Sequence, residues 1–301
     1  KSTNKTNRKK KSDDDEKIKI KKRKKRSGKT LLNIFIVVMI IALTGGGGYY
    51  YYTMNQSTST WRIVPLAGKY KVESNSNAPN QISENQIFKL DEDGKSEIYV
   101  KDQGVISVIG KSELEVISTS KNQSSIRFIY GNLDYIPKPM SGNFQIVMNG
   151  LTITSNNSKF RIFSDDLGDF QLEILSNFLQ IEFKQESYRF AHDYMVKIEA
   201  DNVIRTPYSK KTTQNFISLL AEYDYNKESK TLIKIIDKAA TNDALTLHFL
   251  LSQVTPAKRE LIIDKLNSII PLPFGAGKSD ILILNQAMMN KWWDEIYSTI
   301  Y

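Results

Sequence analysis

Two histidines and no cysteine set the limits of the chemistry open to this 301-residue chain. Without thiols it can form no disulfide, no thiolate metal site and no cysteine nucleophile. Two imidazoles give a histidine-based triad or a multi-histidine metal site little to draw on. His248 stands among Leu245, Leu247 and Leu250, where a packing histidine is the simpler reading. His192 is followed by Asp193, which could orient an imidazole, but no G-x-S-x-G accompanies the pair. Gly275-Ala276-Gly277-Lys278-Ser279 and Ser27-Gly28-Lys29-Thr30 imitate the end of a phosphate loop. The motif requires a glycine five positions before its Gly-Lys pair, and Leu272 and Arg23 stand there instead. Asp91, Asp93 and Gly94 resemble the opening of a calcium loop that lacks its third ligand and its closing glutamate, so a hairpin turn explains them. These residues assign no catalytic group, cofactor or metal, and the chain reads as a binding protein rather than an enzyme. Trp292 and Trp293 point in different directions on a helix, so at least one closes the helical core and the other is free to be exposed; a core or intramolecular seal is the favoured reading and a partner contact the alternative. They are the candidate partner contacts.

The elements that would hold such residues follow from charge and period. Net charge is +9, and residues 1–30 carry 15 Lys and Arg against 4 acidic residues, leaving 27 basic and 29 acidic for the rest. The charge therefore sits in a tail and not on a fold, and no nucleic-acid partner is expected. Residues 31–52 form a largely apolar, uncharged stretch ending in Tyr49 to Tyr52, long enough for one transmembrane helix with an aromatic belt. A cleaved signal peptide is the rival reading, against which stands the long charged segment before it. The positive side stays in the cytoplasm, which places the main domain outside it. Lys19, Lys21, Lys22, Arg23, Lys24, Lys25 and Arg26 are then expected to lie against anionic lipid of the inner leaflet, or merely to enforce orientation.

After a polar linker at 53–60, short segments alternate with a period of two: Ile98/Val100, Ile106/Val108, Leu114/Val116, Ile126/Phe128/Tyr130, Phe144/Ile146/Met148, Phe160/Ile162, Phe170/Leu172/Ile174 and Leu179/Ile181/Phe183. Asp91 to Gly94, Lys121 to Gln123, Asn149-Gly150, Asn156-Asn157 and Asp165 to Gly168 supply the turns. The spacing predicts a mainly β domain over 61–205, built as a solenoid, a roll or a sandwich. A connecting segment follows at 206–230 and a small helical subdomain at 231–301. In the latter, Leu232/Ile235/Ile236/Ala239, Leu245 to Val254, a helix from Pro256 and a last one capped by Ser279 or Asp280 carry the apolar faces.

Ser96 to Val100, Gly104 to Val108 and Ser112 to Val116 are similar to the S-x-I-x-V, G-x-I-x-V and S-x-L-x-V strands of the FecR family of bacterial membrane-anchored regulators. Arg127 to Leu133 resembles that family's next strand and turn, and Asp165 through Ile181 its last hairpin. Asp243 to Leu247 with Trp292-Trp293-Asp294 resembles a helical tail found on some members. The family's Thr-Pro segment is replaced here by Gly150 to Ser158, and the glycine expected before the last strand is Asn177. The resemblance implies a bacterial, single-pass, inner-membrane protein. Its extracytoplasmic (periplasmic) FecR-type domain would contact another envelope protein and relay a signal to a cytoplasmic anti-sigma segment. Residues 1–30 cannot make such a segment. Either it precedes Lys1 or this chain does something else, and a scaffolding role in an envelope assembly is the alternative.

Overall fold

The computed structural model describes residues 59–301 except 74–79, 121–122, 165–167 and 185. The basic tail with Lys19 to Arg26, the apolar stretch 31–52, most of the linker, and the turns at Lys121-Asn122 and Asp165 to Leu167 lie outside the described residues. Among the described residues no helix is long and apolar enough to cross a membrane.

The described chain is mainly antiparallel β with a helical C-terminal region. The first seven strands are β1 (Trp61–Ala67), β2 (Tyr70–Glu73), β3 (Gln81–Ile82), β4 (Ile87–Leu90), β5 (Lys95–Val100), β6 (Gly104–Thr119) and β7 (Gln123–Pro137). They are followed by β8 (Asn143–Met148), β9 (Leu151–Ser155), β10 (Phe160–Ser164), β11 (Phe170–Ile174), β12 (Phe178–Phe183), β13 (Glu186–Ala191), β14 (Tyr194–Ile198) and β15 (Tyr208–Ser209). Some of the expected short segments are parts of single long strands. Ile106/Val108 and Leu114/Val116 both belong to β6, and Ile126/Phe128/Tyr130 runs on to Leu133 and Tyr135 in β7.

These two strands fold the sheet over on itself. Their outer halves, Gly104 to Ile109 and Asn132 to Pro137, pair with each other and flank β5 and β10, while Glu113 to Thr119 and Ser124 to Tyr130 flank β4 and β8. One layer thus runs β3-β1-β5-β6-β7-β10-β11-β14-β15, and the other β2-β4-β6-β7-β8-β9-β12-β13. Of the architectures left open by spacing, this is a sandwich whose layers share β6 and β7. The inward alternation fills the space between them. Tyr135 of one layer stacks on Phe144 of the other at 4.2 Å between ring centres, and Phe128 meets Phe170 at 6.1 Å. Among the described strands only β7 and β8 pair in parallel.

The fold-over is at Gly110 and Gly131, both at positive φ. A Cβ on Gly131 would stand 2.1 Å from Ser112 Oγ and 2.6 Å from Ser112 Cα, so no side chain fits. The Ser112 hydroxyl donates to the Gly110 carbonyl at 2.9 Å and accepts from the Asn132 N–H at 3.2 Å, which ties the two bends together.

Helices begin earlier than period alone indicated. Helix α1 (Gln214–Asn226) lies inside the stretch expected to be a connector, N-capped by the Thr213 hydroxyl and burying Phe216, Leu219, Leu220 and Tyr223 at helical spacing. It is followed by α2 (Ser229–Lys238), a 3₁₀ turn at Thr241–Asp243, α3 (Ala244–Gln253), α4 (Pro256–Ile269), α5 (Lys278–Leu282) and α6 (Gln286–Ile300). The expected single last helix is broken. Leu284 adopts positive φ, and the Asn285 side chain accepts from the Ala287 and Met288 N–H groups and starts α6 afresh. Thr58–Tyr301 is one compact unit, and a continuous core runs from Trp61 to Ile296.

Candidate functional site

The helices close the end of the sandwich where β13 and β15 are the outer strands. Helix α3 packs inside the β13 edge, with Phe249 against Tyr188 at 5.6 Å and against Phe190 at 6.0 Å. Helix α6 lies on the other side, with Trp293 edge-on to Phe178 at 5.4 Å. Trp293, Tyr297 and Tyr301 recur every four residues and stack along one helix face, and His192 closes the row against Tyr301 at 4.6 Å. Between α3, α6 and the β13 edge is a groove of about 640 Å³, within the range of small ligand sites. Tyr188, Phe190, Leu245, Phe249, Met289 and Trp293 give it an apolar lining, and Gln180, Glu186, Ser187, Ser252, Gln286 and Asn290 give it a polar rim.

Arg189 anchors one wall. Its guanidinium lies 4.1 Å from the Trp293 ring centre, donates to Asp294 at 2.8 Å and donates to the Asn290 carbonyl at 3.2 Å. The Trp293 indole N–H donates back to the Arg189 carbonyl at 3.1 Å. In an antiparallel edge strand, alternate residues turn their backbone groups inward to the neighbour and outward. Arg189 faces outward, because its carbonyl is taken by α6, and so does Ser187 two residues before it. The His192 N–H, on the other parity, donates inward to Asn177 at 2.7 Å. The Ser187 N–H and C=O and the Arg189 N–H are therefore turned toward the groove.

His248 joins the helices at the groove floor. Its Nε2 is 3.0 Å from the Met289 carbonyl, which can only accept, so Nε2 carries a proton. Burial pushes its pKa down to about 4, so the ring is neutral at pH 7. At the rim the Tyr188 hydroxyl donates to Glu186; burial, and then this carboxylate, push the phenol up to about 12. His248 has its hydrogen bond to backbone, and the groove offers shape, apolar surface and open hydrogen-bonding groups.

The residues singled out from sequence are dispersed. Trp292 and Trp293 are both buried, as a core or seal requires, and neither ring is the exposed one that the helix rotation allowed. The Trp292 indole N–H donates to the Ile270 carbonyl at 3.3 Å inside the helical layer, and Trp293 seals α6 to the sheet. As partner contacts neither ring presents a free face; of the two, Trp293 alone reaches the groove, as part of its lining. Asp193 does not orient His192 but pairs with Lys211 at 2.7 Å. Gly275 to Lys278 joins α4 to α5, and Lys278 reaches Asp264 at 2.7 Å and Glu260 at 2.9 Å. Asp91 to Gly94 is the β4–β5 turn, closed by the Gly94 N–H on the Asp91 carbonyl at 3.0 Å. Among the described residues no three acidic or imidazole side chains gather as metal ligands. Sequence reasoning missed Glu186, Ser187, Arg189 and Asn290. The available signal was the Glu186 to Ala191 alternation, which extends the strand series one step past Phe183.

No family model matches the chain, and no curated protein does. Among solved structures, two crystal structures described as a "putative anti-sigma factor" from Parabacteroides distasonis are similar to it, each with a TM-score of 0.36 and 6% identity. The matches cover 45% of this chain and 63% and 64% of those chains, so this chain spans less than two thirds of their length. That likeness is too distant to assign a fold or a role.

Proposed function

We propose that this chain is a membrane-anchored extracytoplasmic binding module with a regulatory role, and that the groove between β13, α3 and α6 takes part of another envelope protein. The observation that carries this reading is the groove itself, an apolar channel with a polar rim beside a strand edge whose backbone groups are open. Such a site recognises and holds. The charge pattern supports the setting: cations concentrate before an apolar stretch at 31–52, and the remainder is near neutral. The strand motifs that resemble the FecR family support the regulatory side, with relay across the membrane as the finer form of the reading.

The test is site-specific photocrosslinking in cells that express the full chain. A photoreactive residue at Ser252 or Gln286, on the groove rim, is expected to capture one discrete envelope protein, whereas Leu66 and Ile129, exposed on the sheets, capture none. Equal capture from all four positions, or none from the rim, would overturn the site. A partner that stays bound in fixed stoichiometry through purification would move the reading from regulation to scaffolding. A reporter fused after Tyr301 that is active only in the cytoplasm would overturn the topology.

A further inference from the structure

We infer that the occupant of the groove is an extended polypeptide segment that adds to the outward edge of β13 as a further strand and brings a Lys or Arg to Glu186. This rests on the reading of the groove as the partner site and deepens it. Ser187 presents both an N–H and a C=O, and Arg189, two residues on, an N–H. Residues two apart on a strand are about 6.5–7 Å apart, and only another strand repeats donors and acceptors at that interval. A helix satisfies its own backbone groups, so it has no such row to offer.

The edge is open over a short window. Toward the C-terminal end of β13 the Arg189 carbonyl is closed by the Trp293 indole and Ala191 is buried. Toward the N-terminal end Glu186 and Ser187 are exposed. An incoming strand would thus meet β13 over about two to three residues. Its side chains would alternate between the α3 side, where Tyr188 and Phe249 give apolar contact, and the α6 side, where Asn290 and Gln286 offer hydrogen bonds. Edge strands are ordinarily protected by extreme shortness, proline, charged side chains (lysine above all) or a covering element. The opposite outer strand, β15, is two residues long. β13 has six residues and no proline; of its two charged residues Arg189 is drawn onto α6 by Asp294, which leaves Glu186 at the open end, and its cover begins only at Arg189.

Charge selects the segment further. The Arg189 cation is neutralised by Asp294 at 2.8 Å, and His248 is neutral. Glu186 accepts from the Tyr188 hydroxyl, and among the described residues no cation pairs with it. The groove therefore carries one uncompensated negative charge at its open end, which a basic residue of the incoming strand would complement.

The probe is a labelled heptapeptide of alternating Thr and Val with a central Lys, titrated into the full chain in lipid nanodiscs and read by fluorescence anisotropy. Two further forms carry N-methyl groups on alternate amides, one on each edge. Methylation of one edge is expected to weaken binding about tenfold or more, and methylation of the other edge to leave it unchanged. Ser187→Pro should reproduce the loss, and Glu186→Lys should reverse the preference for the Lys peptide over its Glu counterpart. Equal binding of both methylated forms would overturn strand addition without any protein variant, as would absence of saturable binding. If photocrosslinking from Ser252 and Gln286 captures a partner while the peptides fail, the groove remains the partner site and its strand mode is wrong. If the peptides bind as expected and crosslinking captures nothing, the partner reading fails.

Discussion

The fold-over at Gly110 and Gly131 and the groove beside β13 treat their backbone in opposite ways. At the fold-over two strands pass between layers, and the polar groups the bend exposes are taken up: Ser112 donates to Gly110 and accepts from Asn132, with no room left for a side chain on Gly131. Beside β13 the chain leaves an N–H and a C=O of Ser187 facing a channel and commits its aromatic rings to seating each channel wall on the sheet. The contrast separates a part that specifies the fold from one kept open for something outside it. Buried polar groups are paired because an unpaired one costs about 1–3 kcal/mol, so an edge held open beside water and apolar surface is a place to look for a partner.

The largest effect should come from filling the fold-over. Gly131→Val is expected to destabilise by about 4 kcal/mol or more, because the new Cβ overlaps Ser112 and φ is +115°. Gly150→Ala, with φ of +81° and nothing within 4 Å, should cost only about 1 kcal/mol. Thermal and urea unfolding of the two variants measure the difference. Equal losses would mean that crowding at Ser112 does not define the bend.

Next comes the seal that forms the groove. Trp293→Ala removes the edge contact to Phe178, the stacking on Tyr297 at 5.0 Å between ring centres and the contact with the Arg189 cation, and should cost about 3 kcal/mol. Loss of α6 from the sheet should also raise hydrogen exchange over β13, whereas Trp292→Ala, whose partner is Ile270, should raise it within the helices alone. Matching exchange patterns would remove the distinction between a helical core and a groove wall.

The floor of the groove should make stability depend on pH. His248 is held neutral with its pKa lowered from 6.5 to about 4. Below pH 6.5 the unfolded chain takes up a proton that the folded chain does not, so stability falls with falling pH and levels off below about 4. The total is on the order of 3 kcal/mol at most. His248→Gln should flatten that part of the curve, and the test is urea unfolding of both chains between pH 7 and the acid end. An unchanged slope would show that His248 is not held neutral by its burial.

Much of the sandwich was legible in sequence because burial follows the period of two. Ile98, Ile106, Leu114, Ile126, Phe144, Phe160, Phe170 and Leu179 all face inward as expected. What could not be read was that Gly110 and Gly131 bend the long strands rather than end them, since a turn and a bend use the same residue type. Helix α1 was readable and was missed: Phe216, Leu219, Leu220 and Tyr223 have helical spacing behind Thr213. The break at Leu284 lies in an apolar run without Gly or Pro, and Asn285 is its only local sign. The groove is less legible still, because its walls come from three stretches distant in sequence. Trp293 shows why: about 100° of helix rotation separates it from Trp292, which left one ring free to be exposed, but α6 has helices on one side and β12 and β13 on the other.

The smallest effect is the one that separates open backbone from paired backbone most directly. Ser187 is exposed and its N–H points away from β12, so Ser187→Pro removes no ladder hydrogen bond. The residue before it, Glu186, is already extended, as a position before proline prefers. The remaining cost is the adjustment of φ from the usual strand value toward that of proline, and we expect a loss of about 1 kcal/mol or less. Ile181→Pro in the neighbouring β12 is the reference. That strand is paired on both sides, to β9 and to β13, and Ile181 is buried, so there the loss should be about 3 kcal/mol or more. Thermal unfolding of the two variants gives the ratio. A loss at Ser187 as large as at Ile181 would mean that its N–H is bonded within the chain, and the edge on which an added strand depends would not be open.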